Sequence, residues 1–165
     1  MENVNGRVFN SYYNTKGVRE VCHILKNRDC SDEYYQAVIE VSNYMIDIQS
    51  VCSSDFLIPA PQHTGYSEYT LDIANRISQL TGAKVLDILG RRPSATLYDM
   101  KRQGIRKPCL DLFLKTSFIS HGSGRLFFVD NVISTGITFN TANMLLNGDL
   151  IPLVYAVDEN AYLCD

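Results

Sequence analysis

The residues best equipped for chemistry in this sequence are contiguous. The apolar run Leu126-Phe127-Phe128-Val129 leads into Asp130-Asn131-Val132-Ile133 and then into the hydroxyl-rich turn Ser134-Thr135-Gly136-Ile137-Thr138. A buried strand, a small turn and a helix start in that order suit a phosphate. Backbone N–H groups and the helix dipole favour an anion there, and Ser134, Thr135 and Thr138 add hydroxyl donors. Gly136 lets the backbone approach the anion closely. Asp130 can accept from sugar hydroxyls or hold a divalent ion. The pattern is neither G-x-x-x-x-G-K-[ST] nor G-x-G-x-x-G.

Two further segments carry polar groups to places where a ligand would lie. Phe56-Leu57-Ile58 runs into Pro59-Ala60-Pro61 and then Gln62-His63-Thr64-Gly65, a strand ending in a polar loop. Residues 91–107 hold Arg91, Arg92, Lys101, Arg102, Arg106 and Lys107 against one acid, Asp99, so this window carries +5 in a chain of net charge −3. The planar guanidinium fork of arginine matches phosphate oxygens. The rest of the chain is strongly acidic, which disfavours nucleic acid as a partner and suits one small polyanion. Five cysteines, Cys22, Cys30, Cys52, Cys109 and Cys164, lack C-x-x-C spacing and are odd in number, against a disulfide framework or a cysteine-ligated zinc site.

These groups need a scaffold, and the patterning supplies one. At 165 residues with 45% hydrophobic and 20% charged side chains, the chain is long enough for a single domain with its own core, and disorder is excluded. No stretch has the length of a transmembrane segment and the first residues lack a signal pattern, so the expectation is a cytoplasmic protein away from membranes. Strands are predicted at Val8–Tyr13, Phe56–Ile58, Lys84–Leu89, Leu126–Val129 and Ile151–Val157. Helices are predicted at Arg19–Asn27, from an N-cap at Ser31, from Ser67 as cap to Leu80 with Gly82 as stop, and at Thr138–Asn147. Residues 90–120 read as irregular. This alternation is α/β with a mostly parallel sheet, and ligands on such sheets bind at the carboxyl ends of the strands.

The segment 126–138 resembles the ribose-phosphate signature of the type I phosphoribosyltransferases: an apolar run, two acids, two apolar residues, then Thr/Ser-Thr-Gly-x-Thr. Asp130 matches the first acid, and Asn131 stands where many members have the second. Residues 56–65 are similar to the strand and pyrophosphate loop of the same family, in its amidotransferase and competence-associated branch. The resemblance implies a mostly parallel twisted sheet flanked by helices in one domain. Residues 1–55 would form a small N-terminal hood with flanking helices, and 56–157 the core. It implies transfer of phosphoribosyl from phosphoribosyl pyrophosphate to a nitrogen nucleophile, usually a nucleobase, with Mg2+ and release of pyrophosphate. Asp130 and Asn131 would face the ribose, with Asp130 also on the metal. Ser134 to Thr138 would hold the 5′-phosphate. Gln62, His63, Thr64 and Gly65 with Arg91 or Arg92 would hold the leaving group. A closing loop within 90–120 would bring Lys101 or Arg102, and the loop 158–162 would help to read the acceptor. A homodimer is common in the family. The alternative reading is a non-catalytic sensor of phosphoribosyl pyrophosphate or a nucleotide on the same fold.

Overall fold

A computed structural model describes residues 2–4, 7–9, 11–93, 95, 97–104, 110–116 and 123–158. Five strands form one sheet in which every neighbouring pair is parallel: β3 (Ser11–Tyr12), β9 (Leu150–Val157), β8 (Leu126–Ile133), β4 (Phe56–Pro59) and β5 (Lys84–Val85), in that spatial order. Helices α1 (Val18–Asn27), α2 (Asp32–Gln49) and α3 (Tyr69–Thr81) pack on one face, and α5 (Ile137–Leu145) covers part of the other. The architecture is α/β with a parallel sheet, as the alternation predicted.

The apolar run in β8 explains why it is central. Successive side chains of a strand point to opposite faces. Phe127 and Val129 enter the core with α1–α3, while Leu126 and Phe128 enter the core with α5. A strand covered on both faces has no polar face to show. Two of the helix signals also act as read. Ser31 caps α2 by accepting from the Tyr34 N–H at 3.2 Å, and Gly82 ends α3 in the left-handed region at φ 78°.

Several boundaries depart from expectation. The strand predicted over Val8–Tyr13 divides: β1 (Glu2–Val4) and β2 (Arg7–Phe9) pair as an antiparallel hairpin, while β3 joins the edge of the main sheet. The flanking helices of residues 1–55 are α1 and α2, whose Cys22, Leu25, Val41 and Met45 belong to the principal core. The strand predicted over Lys84–Leu89 also divides, into β5 and β6 (Leu89–Arg91). β6 pairs antiparallel with β7 (Leu112–Leu114), inside the stretch read as irregular, and a short helix α4 (Leu97–Arg102) lies between them. Ser67 is not the cap of α3, because its hydroxyl is engaged by the Pro59 carbonyl (3.3 Å) and Asp87 (2.9 Å). Among the described residues, no helix is long and apolar enough to cross a membrane.

From β4 the chain turns outward through α3 to β5, and later returns to β8 on the other side of β4. The strand order thus reverses between β4 and β8, the place where sheets of this kind open a crevice for ligands.

Candidate functional site

β4 ends where β8 is half complete. Its last ladder partner is Val129, whose carbonyl also takes the Ala60 N–H at 3.0 Å. Among the described residues, β8 beyond Val129 pairs with β9 alone, through Asp130↔Val154, Val132↔Ala156 and Ile133↔Val157. Asp130 therefore stands at an open strand edge, and the Asn131 N–H donates to its Oδ1 at 2.8 Å. Burial pushes the Asp130 carboxyl up to about 6, against the lowering effect of the Asn131 and Val132 N–H groups and of Lys26. Desolvation outweighs these lowering effects.

After Ile133 the chain makes the turn 134–136. Gly136 is the N-cap residue of α5 with φ 71°, a region that glycine enters without steric cost, and no side chain caps the helix. The first N–H groups of α5 are thus left for another acceptor. The Thr135 Oγ1 is buried and has no hydrogen-bond partner. Such an orphan costs about 1–3 kcal/mol, which a bound acceptor would recover. Asp130, Val132 and residues 134–138 line one small, open cleft of about 30 Å³. That is far below the roughly 300–1,000 Å³ of sites that enclose a whole small molecule.

The polar loop after β4 is built differently. The Gln62 Oε1 accepts from the Glu68 N–H at 2.6 Å, at the start of α3, and its Nε2 donates to the Ala60 carbonyl at 2.9 Å. The Thr64 hydroxyl donates to Glu68 at 3.1 Å. Gln62 and Thr64 thus hold the loop in shape, and His63 is exposed. Gly65, at φ 106°, sits so close to β6 that a Cβ there would be 2.9 Å from the Arg91 carbonyl. The Arg91 N–H in turn donates to the Gly65 carbonyl at 3.4 Å. The structure does bring the 62–65 loop and residue 91 together at one edge of the sheet.

The remaining predicted residues separate. Arg91 is buried, with its Nη2 donating to the Ala95 carbonyl at 3.3 Å, whereas Arg92 is exposed and pairs with Asp111 at 3.3 Å. Asn131 does not share the cleft with Asp130: only 1% exposed, its side chain enters the helix-covered core, where Tyr69 and the Cys22 carbonyl meet it. The backbone of Lys101 and Arg102 lies in α4, and Arg102 is exposed. The side chain of Lys101, residues 106 and 107, and residues 159–162 lie outside the described residues. Sequence reasoning placed a helix at Arg19–Asn27 but passed over the polar side chains of α1. Its Arg19, His23 and Lys26 recur at helical spacing and gather round Tyr13, with His23 3.0 Å from the Tyr13 hydroxyl and the Lys26 Nζ 5.8 Å from the ring centre. The signal was present as an i, i+4, i+7 stripe beside the apolar stripe Val18, Cys22, Leu25.

Among the described residues, no three His, Cys, Asp or Glu side chains cluster as metal ligands. Asp130 is the carboxylate on the cleft. That donor set fits a Mg2+ held mainly by a ligand's own phosphates with one protein carboxylate, the usual arrangement for this ion. The chain matches no protein-family model and no curated protein sequence.

Proposed function

We propose that this chain is a phosphoribosyltransferase of the type I kind, acting on phosphoribosyl pyrophosphate and a nitrogen nucleophile. The observation that carries the reading is the uncapped α5 N-terminus with the orphaned Thr135 hydroxyl, opening on the same cleft as Asp130. In this reading residues 134–138 hold the 5′-phosphate, as their spare donors favour. Asp130 accepts from the ribose hydroxyls. Its negative charge stabilises the cationic sugar as the bond from C1 to the pyrophosphate oxygen breaks and the bond from C1 to nitrogen forms. The nitrogen loses a proton, and pyrophosphate leaves with the bonding pair. Mg2+, held by Asp130 and the phosphates, would neutralise charge on the leaving group. The 62–65 loop and the neighbouring β6–β7 ribbon supply the leaving-group side. The protein's work is placement and electrostatics more than covalent chemistry.

A second reading, a sensor that binds the same ligand without turning it over, draws on one observation: the cleft carries one carboxylate where the resembled motif often has two. Incubation with phosphoribosyl pyrophosphate, Mg2+ and a panel of nucleobases, following pyrophosphate release, separates the two. Release with at least one base is the expected result. Tight binding with no release on any base means the sensor, and no binding at all removes both readings.

A further inference from the structure

Position 131 makes two connections at once. Its side chain points away from the cleft: the Tyr69 hydroxyl donates to Asn131 Oδ1 at 3.0 Å, and the Asn131 Nδ2 donates to the Cys22 carbonyl at 3.5 Å. Tyr69 opens α3 directly after the 60–68 loop, and Cys22 lies in the middle of α1. Its backbone N–H holds Asp130 Oδ1 at 2.8 Å. Clamping the side chain therefore fixes the peptide plane between residues 130 and 131, and with it the direction of the N–H that aims the carboxylate.

An amide suits this position. Its oxygen accepts from the hydroxyl while its nitrogen donates to the carbonyl. A carboxylate could take the Tyr69 proton but would set its second oxygen against the Cys22 carbonyl in a space closed to water. We propose that Asn131 is a positioning residue for Asp130, a latch that ties the ligand-side carboxylate to α1 and to the start of α3. The acid of the resembled motif is absent because the latch uses an amide. The kinetic part of this proposal rests on the phosphoribosyl-transfer reading, and the rest stands on geometry.

Tyr69→Phe removes the latch's hydroxyl and keeps the ring. Native-state hydrogen exchange should show the Asn131 amide exchanging about tenfold faster, the worth of one lost neutral hydrogen bond, while the amides of Phe127 and Val129 stay within about twofold. Well below the melting temperature, kcat for pyrophosphate release should fall about tenfold with KM for phosphoribosyl pyrophosphate unchanged, because misaimed groups slow the reaction more than binding. An exchange change spread evenly along β8, or none, overturns the proposal, as does an unchanged kcat. Asn131→Asp should melt lower and bind phosphoribosyl pyrophosphate with Mg2+ no more tightly. Tighter binding at an unchanged melting temperature would place residue 131 on the ligand and also overturn it. If the wild-type protein releases no pyrophosphate with any base, the transfer reading falls, and the exchange pattern alone decides the latch.

Discussion

The two loops at the carboxyl edge of the sheet have similar composition and opposite economies of hydrogen bonding. The 60–68 loop uses its polar side chains on itself: Gln62 serves Glu68 and Ala60, Thr64 serves Glu68, and Ser67 serves Pro59 and Asp87. The 134–138 turn leaves the α5 N-terminus uncapped and the Thr135 hydroxyl orphaned. A loop that satisfies itself is rigid and offers a ligand its backbone and its shape. A turn with donors to spare is a receptor waiting for an acceptor. Polar residue types alone do not distinguish these cases; what the neighbours leave unsatisfied does.

The largest test of this contrast is Asp130→Asn. Removing the one charge on the cleft should lower turnover about 10²–10³-fold, the scale of losing a preorganised electrostatic group. Stability should move the other way. The folded carboxyl titrates near 6, above its ordinary 3.8, so its favourable contribution is present below pH 4 and is lost as pH rises through 6. Asp130→Asn should therefore melt higher than wild type at pH 8, by up to about 3 kcal/mol of stability, and alike at pH 4. A melting difference that does not vary with pH would mean that the carboxyl is not desolvated.

Next comes Gly136→Val. A β-branched residue at φ 71° is a steric outlier, and the left-handed region costs an ordinary residue about 1–2 kcal/mol even without branching. Either the strain persists or the turn flips and its N–H groups lose their aim. Affinity for ribose 5-phosphate by calorimetry should drop about 30–100-fold. An unchanged affinity removes the phosphate assignment. The smallest effect belongs to Gln62→Ala, which deletes the acceptor for the Glu68 N–H. Its cost should be about 1 kcal/mol, or roughly 2–4 °C in melting temperature for a chain of this size, with ribose 5-phosphate binding unchanged. If Gln62→Ala weakens that ligand as much as Gly136→Val does, the two loops are not different in kind.

What the sequence makes legible follows the range of the forces involved. The 3.6-residue stripe of α2, the Ser31 cap and the Gly82 stop are local, and the structure repeats them. The apolar run of β8 is likewise local, but its end is not. The strand continues through Asp130 and Asn131 to Ile133 because β9 keeps pairing there, as Asp130↔Val154 and Ile133↔Val157. The same long-range pairing recruits Ser11–Tyr12 to the sheet edge and splits Lys84–Leu89, and neither event has a local cause. The helix start behind the 134–136 turn was readable because its signal is local. The opposite headings of Asp130 and Asn131 follow from strand alternation once the strand is known to extend. The stripe on α1 has no local signal of its place, because what brings it near the end of β8 is the long-range contact of Asn131 with the Cys22 carbonyl.

The overhang of β8 past β4 has a consequence for how the protein behaves in a crowded solution. Four residues with one side unpaired are an invitation to a strand from another molecule. Here the Asn131 N–H is already taken by the Asp130 carboxylate, and a foreign strand would have to approach a negative charge with its own carbonyls. The carboxylate that faces the cleft thus also blunts the edge of the sheet. An Asp130→Ala protein would lose both, and its failure in the test tube would show first as self-association and only then as a loss of ligand.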